Sequence, residues 1–291
     1  MSNELTIAAE RGQSMAELMG VSTSGGEATP SIARIGMLHA PIMGEMDVAG
    51  KTIKTEVVSV GSFIMTKGDE KIYSDGVEVR IFAQRQQWQR WNDETGEMEK
   101  SVQANTLSGD LKDNIGGLNL GRPSGYIEDW NSVPDDTKAI IRSVKKVNIY
   151  YGTITLLKPM NEKGEALPTD SYVDVPFVMD VKNRDSIKSI NGVLTSLQRK
   201  NMLPIMSTVQ LDGVEGSIAS GAKFGYIKAS LGDRVDISEG DNDMLKDFIE
   251  LIEYSNGKIL DLHHERSNKA MSPADDAMVS DIINNDFVDV D

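Results

Sequence analysis

Apolar positions recur with period two in some stretches of this chain and with helical period in others. Val79, Ile81 and Ala83 alternate with Arg80, Phe82 and Gln84, so residues 79–91 read as a strand with one buried and one mixed face. Asn92-Asp93-Glu94-Thr95-Gly96 then reads as a turn, and Glu97 onwards as the returning strand. In residues 173–181 every odd position is apolar, which predicts another half-buried strand. Further strands are expected at 147–157, 205–211 and 223–231, the last two flanking a Gly/Ser-rich loop at 213–221. Ile187, Ile190, Leu194 and Leu197 share a helical face behind Asp185 or Ser186 as cap. Pro134 opens a short helix bearing Ile140, Ile141 and Val144. A last helix begins after Asp241 and Asn242, carries Leu245, Phe248, Ile249 and Ile252 on one face, and stops near Gly257.

Strands interrupted by single helices, without strict β-α alternation, predict an α+β protein built on an antiparallel sheet or a small barrel. Regular structure is expected from Ile32, or by Ile53, where β-branched residues start to recur. Residues 1–31, rich in Gly, Ser, Ala and Glu, read as a flexible N-terminal arm with a short helix near 5–19. Residues 32–266 form a single core in this reading, and 267–291 a disordered acidic tail.

A length of 291 residues exceeds one average domain, yet one elaborated β domain with loose ends reaches it. No stretch approaches the ~20 apolar residues of a membrane span, and no basic segment followed by an apolar one opens the chain. The reading is therefore a protein that neither spans a membrane nor carries a cleavable signal, with a cytoplasmic location. The absence of cysteine excludes a disulfide scaffold, a thiol nucleophile and a Cys-based zinc site.

The formal charge of −15 argues against nucleic acid, whose phosphates are bound by Lys and Arg. Its distribution softens that objection. Residues 271–291 hold six Asp and no Lys or Arg, while 138–158 hold Lys138, Arg142, Lys145, Lys146 and Lys158 with no acid among them.

Catalytic patterns are sparse. Adjacent His263 and His264 point in different directions on any regular element and cannot chelate one metal as a spaced pair does. The acidic string 233–243 misses the alternation of a calcium loop and suits helix capping better. Neither a phosphate-binding glycine loop nor a Gly-x-Ser-x-Gly elbow occurs. Asp180-Val181-Lys182 looks like half of a metal-dependent nuclease site, with Asp170 or Asp174 as second carboxylate, but nothing in the spacing sets either opposite Asp180. No catalytic residue, metal or cofactor is expected.

The stronger signal is for binding. The mixed face of 79–91 interleaves Arg80, Phe82, Gln84, Gln86, Trp88 and Arg90, the bases, amides and rings from which a platform for unstacked nucleobases is made. Residues 145–151 and 224–228 repeat the interleaving. Core packing of Phe82 and Trp88 is the competing reading, since half-buried strands use the same residues. The tail, with Asp281, Asp286, Phe287, Asp289 and Asp291, combines acids with a few apolar residues. Such a segment can compete for a basic groove or dock on replication and recombination enzymes.

Residues 79–91, Gly121-Arg122-Pro123-Ser124-Gly125-Tyr126-Ile127 with Trp130, and the acidic tail resemble the single-stranded DNA-binding proteins of bacteriophages. That resemblance implies an OB-type barrel enlarged by inserted helices, stoichiometric coating of single-stranded DNA, and a site in the cytoplasm of an infected host. The platform it implies is Arg80, Phe82, Arg85, Trp88, Arg90 and Trp91, joined by Arg122, Lys145, Lys146, Tyr150, Lys223 and Tyr226. Phe287 lies inside the tail, whereas tails of that class commonly end on Phe. A phage structural or decoration protein, an acidic DNA mimic, and a nuclease using Asp180 and Lys182 are the alternatives.

Overall fold

The computed structural model describes residues 32–48, 51–217 and 221–270. The expected N-terminal arm and, from residue 271, the acidic tail with Asp281, Asp286, Phe287, Asp289 and Asp291 lie outside the described residues. The strands are β1 (Ala33–Met37), β2 (Ile42–Val48), β3 (Lys51–Val58), β4 (Phe63–Lys67), β5 (Glu70–Ser74), β6 (Gly76–Asn92), β7 (Glu97–Lys100), β8 (Lys145–Leu156), β9 (Val175–Val181), β10 (Ser207–Ser217) and β11 (Lys223–Arg234). The helices are α1 (Asp135–Ser143), α2 (Arg184–Arg199) and α3 (Glu239–Ala270). Where one core is expected from the sequence, the described residues group into two compact units: one of those up to 84 with those from 148 to 251, the other of 85–147 with those from 252 onward. The chain passes between them within β6, β8 and α3.

The first unit holds a large, mostly antiparallel sheet in the order β11-β10-β6-β8-β9-β1-β4-β5, with β1 and β9 parallel. The sheet is open, and no ladder joins its ends β11 and β5 into a barrel. Its core gathers Ile35, Phe63, Val79, Ile81, Ile154 and Phe177 from the strands with Ile190, Leu194 and Leu197 from α2. The alternation read in 79–83 is real: Val79, Ile81 and Ala83 are buried and Arg80 and Phe82 only partly so. β11 is an edge strand whose outward N–H groups would otherwise be free to recruit another strand. Side chains satisfy those at its centre, with Ile227 donating to Ser186 Oγ and Ala229 to Ser189 Oγ, both at 2.8 Å. The Gly225 N–H donates to His39 Nδ1.

Several boundaries differ from the sequence reading. β9 starts at Val175 because Asp174 takes a left-handed conformation, φ 51°, which leaves Val173 exposed. Asn183 caps α2, accepting from the N–H groups of Asp185 and Ser186, so neither of the latter is the cap. β10 continues through the expected Gly/Ser loop as far as Ser217. Gly213 marks a close approach, since a methyl there would collide with the carbonyl of Gly61. α3 runs on past Gly257 to Ala270, beyond the expected core limit at 266.

In the second unit α3 is extended by its contacts. Asn256 accepts from the Gln103 N–H at 2.7 Å and donates to its carbonyl at 3.0 Å. Ser267 Oγ donates to the Gly116 carbonyl, and Gly116, at φ 89°, leaves no space for a β-carbon beside Ser267. Such tertiary contacts outweigh the roughly 1 kcal/mol that an interior helical glycine costs. Among the described residues no helix is long and apolar enough to cross a membrane.

Candidate nucleic-acid interface

The second unit brings part of the expected platform together. The end of β6 is pinned by β7 and by residues 101–104: Gln86 and Ala104 exchange backbone hydrogen bonds at 2.7 and 2.9 Å, and Ser101 donates to the Trp88 carbonyl at 3.0 Å. These bonds fix the register, so Gln86 and Trp88 share a face. Opposite them, Asn119, Leu120 and Gly121 are three consecutive left-handed residues, φ 52°, 59° and 78°. A buried leucine at positive φ is strained, by an amount on the order of 1–3 kcal/mol, and must be held by its surroundings. The buried Asp113 carboxylate does so, accepting from Ile115, Gly117 and Leu120, while the Asn119 side chain accepts from Leu111.

This turn delivers Arg122 to Trp88. The guanidinium lies 4.7 Å from the indole centroid and donates to the Ile141 carbonyl at 3.2 Å. Burial pulls the Arg122 pKa below its ordinary value, because desolvation penalises the cation. The two side chains wall an open pocket of about 330 Å³, which Gln86, Thr106, Ser108 and Lys146 also line. Neither Arg122 nor Lys146 has an ion pair among the described residues. A planar cation on an indole, a second free cation, and amide and hydroxyl groups around a cavity form a surface that can stack a base and hold a phosphate.

The remaining expected residues are placed elsewhere or otherwise engaged. In the first unit, Arg80 is paired with Asp241 at 3.0 Å and donates to the Ile205 carbonyl. Phe82 meets Phe248 edge-on at 5.7 Å, which is the packing role weighed against base stacking. Tyr150 is wholly buried, its hydroxyl shared between Asn148 and Asn191, so it cannot face a nucleic acid; burial pushes its pKa up to about 12, against the effect of Asn148. Lys223 is paired with Glu215 at 2.9 Å, and Tyr226 lies against Phe224. In the second unit, Arg90 Nε donates to Glu99 at 2.6 Å. Arg85 and Trp91 occupy odd positions of β6, so they sit on the face opposite Trp88, and Trp91 is 54% exposed. Lys145 is exposed and donates to the Arg142 carbonyl.

Sequence reasoning missed Thr106, Ser108 and Asn119. The Asn119-Leu120-Gly121 tripeptide is the signal that points there, since Asn and Gly favour left-handed turns. The first unit contains a smaller pocket of about 140 Å³, where Asp180 and Lys182 meet His39, Asn183 and Ser186. Among the described residues no three His, Asp or Glu side chains gather to hold a metal. No protein-family model, curated protein or solved structure matches the chain.

Proposed function

We propose that this protein binds single-stranded DNA, coating it stoichiometrically through the Trp88–Arg122 pocket, without cleaving it. The observation that carries this reading is the Arg122 guanidinium stacked on Trp88 in a pocket whose cations have no acid partner among the described residues. A base stacks on the ring or the guanidinium, and Lys146 takes a phosphate. In this reading the acidic tail exchanges between the pocket and replication or recombination proteins, and the protein works in the cytoplasm of a phage-infected cell. A closed OB-type barrel is not required, because the stacking surface is built on the end of one strand and the loop facing it.

The test is fluorescence anisotropy of labelled single-stranded and duplex oligonucleotides at low and moderate salt. Three proteins are compared: the full chain, a chain ending at Ser272, and Trp88→Ala. Single strands are expected to bind more tightly than duplex, and more tightly still without the tail. Trp88→Ala is expected to lose about tenfold, within the ~1–3 kcal/mol attributed to one stacked base. Absence of binding by both the full and the shortened chain refutes the reading.

A further inference from the structure

Trp130 lies in the loop before α1 and is 40% exposed, and the Arg142 guanidinium stands 5.9 Å from its ring centroid. This repeats, within the same unit, the pairing of Arg122 with Trp88. The two pairs meet at the last turn of α1, where the carbonyl that Arg122 Nη1 grips belongs to Ile141, the residue before Arg142. Tyr126, 89% exposed, sits midway along the loop between Arg122 and Trp130. Arg142 has no ion pair among the described residues.

The Trp130 loop is braced. Asp129 accepts from the Asn131 N–H at 2.8 Å, Ser132 Oγ donates to the Asp129 carbonyl at 2.9 Å, and Lys138 bridges Asn131 and Asp135. An exposed indole on a braced loop loses little conformational entropy when a ligand stacks on it.

We propose that Trp130 and Arg142 form a second stacking station, so that the interface takes a run of several unstacked nucleotides of single-stranded nucleic acid and not one base alone. The proposal rests on the nucleic-acid reading of the Trp88 pocket. Glu128 and Asp129 directly precede Trp130 in the chain and Asp135 and Asp136 open α1, so the contribution of the second station is stacking on bases, with phosphate neutralisation left mainly to Lys146.

The experiment measures affinity against oligothymidylate length, from below to the top of the range of single-strand site sizes, about four to about sixteen nucleotides. The proteins are the full chain, Trp130→Ala, Trp130→Phe and Trp88→Ala. Trp88→Ala is expected to weaken binding at every length. Trp130→Ala is expected to match the unaltered protein on the shortest oligomers and to fall about tenfold behind on the longest, with an unchanged salt dependence and melting temperature, while Trp130→Phe retains most of the affinity. Identical length curves for Trp130→Ala and the unaltered protein would overturn the second station and leave the first intact. Equal loss at all lengths would also overturn it, since Trp130 would then act by shaping the Trp88 pocket. No binding at any length by the unaltered chain refutes both readings.

Discussion

Strand β6 carries one alternation of cations, amides and rings through both of its halves, and the two halves meet different ends. In the first, Arg80 is consumed by Asp241 and Phe82 by Phe248. In the second, Gln86 and Trp88 open on a cavity and the nearby cations Arg122 and Lys146 have no acid partner among the described residues. Similar local patterns thus serve packing in one place and, at Gln86 and Trp88, present chemistry in the other. The deciding factor is what the rest of the chain sets against the mixed face: an acid and a ring from α3 in the first unit, a strained, glycine-ended turn in the second.

The largest expected effect breaks the first half of that comparison. Asp241→Ala leaves Arg80 partly buried without its carboxylate, and losing one member of such a pair is expected to cost about 2–3 kcal/mol. For a chain of this size that is a fall in melting temperature on the order of 5–10 °C. Oligonucleotide affinity at low temperature should be unchanged. Burial opposes the Asp241 charge, but hydrogen bonds from Arg80 and Ser238 prevail and hold its pKa below the ordinary value. A depressed folded-state pKa contributes stability that is present above the unfolded value, about 3.9, and is lost as pH falls through the folded one. The acid limb of the stability curve should therefore flatten in Asp241→Asn. Equal melting temperatures for the variant and the unaltered chain would show that the ion pair does not anchor α3.

A smaller effect sharpens the second half. Arg122→Lys keeps the charge and loses the planar face that stacks on Trp88. Affinity for single strands is expected to fall roughly fivefold, within the range for one stacking contact, while the slope of affinity against salt stays the same because the number of neutralised phosphates does not change. A flatter slope in Arg122→Lys would assign this arginine to phosphate contact and remove the stacking argument.

The contrast also shows how far one sequence is legible. Period-two alternation located β6 and its hairpin, and helical spacing located α2, because burial against a core imposes those periods directly. Nothing local distinguishes Phe82 from Trp88, since the partner that covers Phe82 is 166 residues away in the chain, and only the fold brings it there. Gly257 and Gly213 misled for a related reason. Each has the composition of a break, but long-range contacts at Asn256 and Gly61 decide the conformation. The Trp88–Arg122 pair was legible as two separate candidates, and their meeting depends on three left-handed residues in a loop without periodicity.

The smallest effect concerns Tyr150, grouped with the binding residues by its basic neighbours in sequence and placed by the fold in the core. Burial raises its pKa to about 12, with the Asn148 hydrogen bond acting the other way. A raised folded-state value means that the associated stability is present below the unfolded pKa, about 10, and is lost as pH climbs through the folded one. Burial and Glu70 raise Tyr172 as well, so phenolate absorbance during an alkaline titration should show a late phase whose last component, near pH 12, is absent in Tyr150→Phe, and bound oligonucleotide should not move that component. A last component that survives in Tyr150→Phe would assign it to another tyrosine. A last component that shifts when single-stranded DNA binds would bring Tyr150 back toward the interface and erase the distinction between a ring that packs and a ring that stacks.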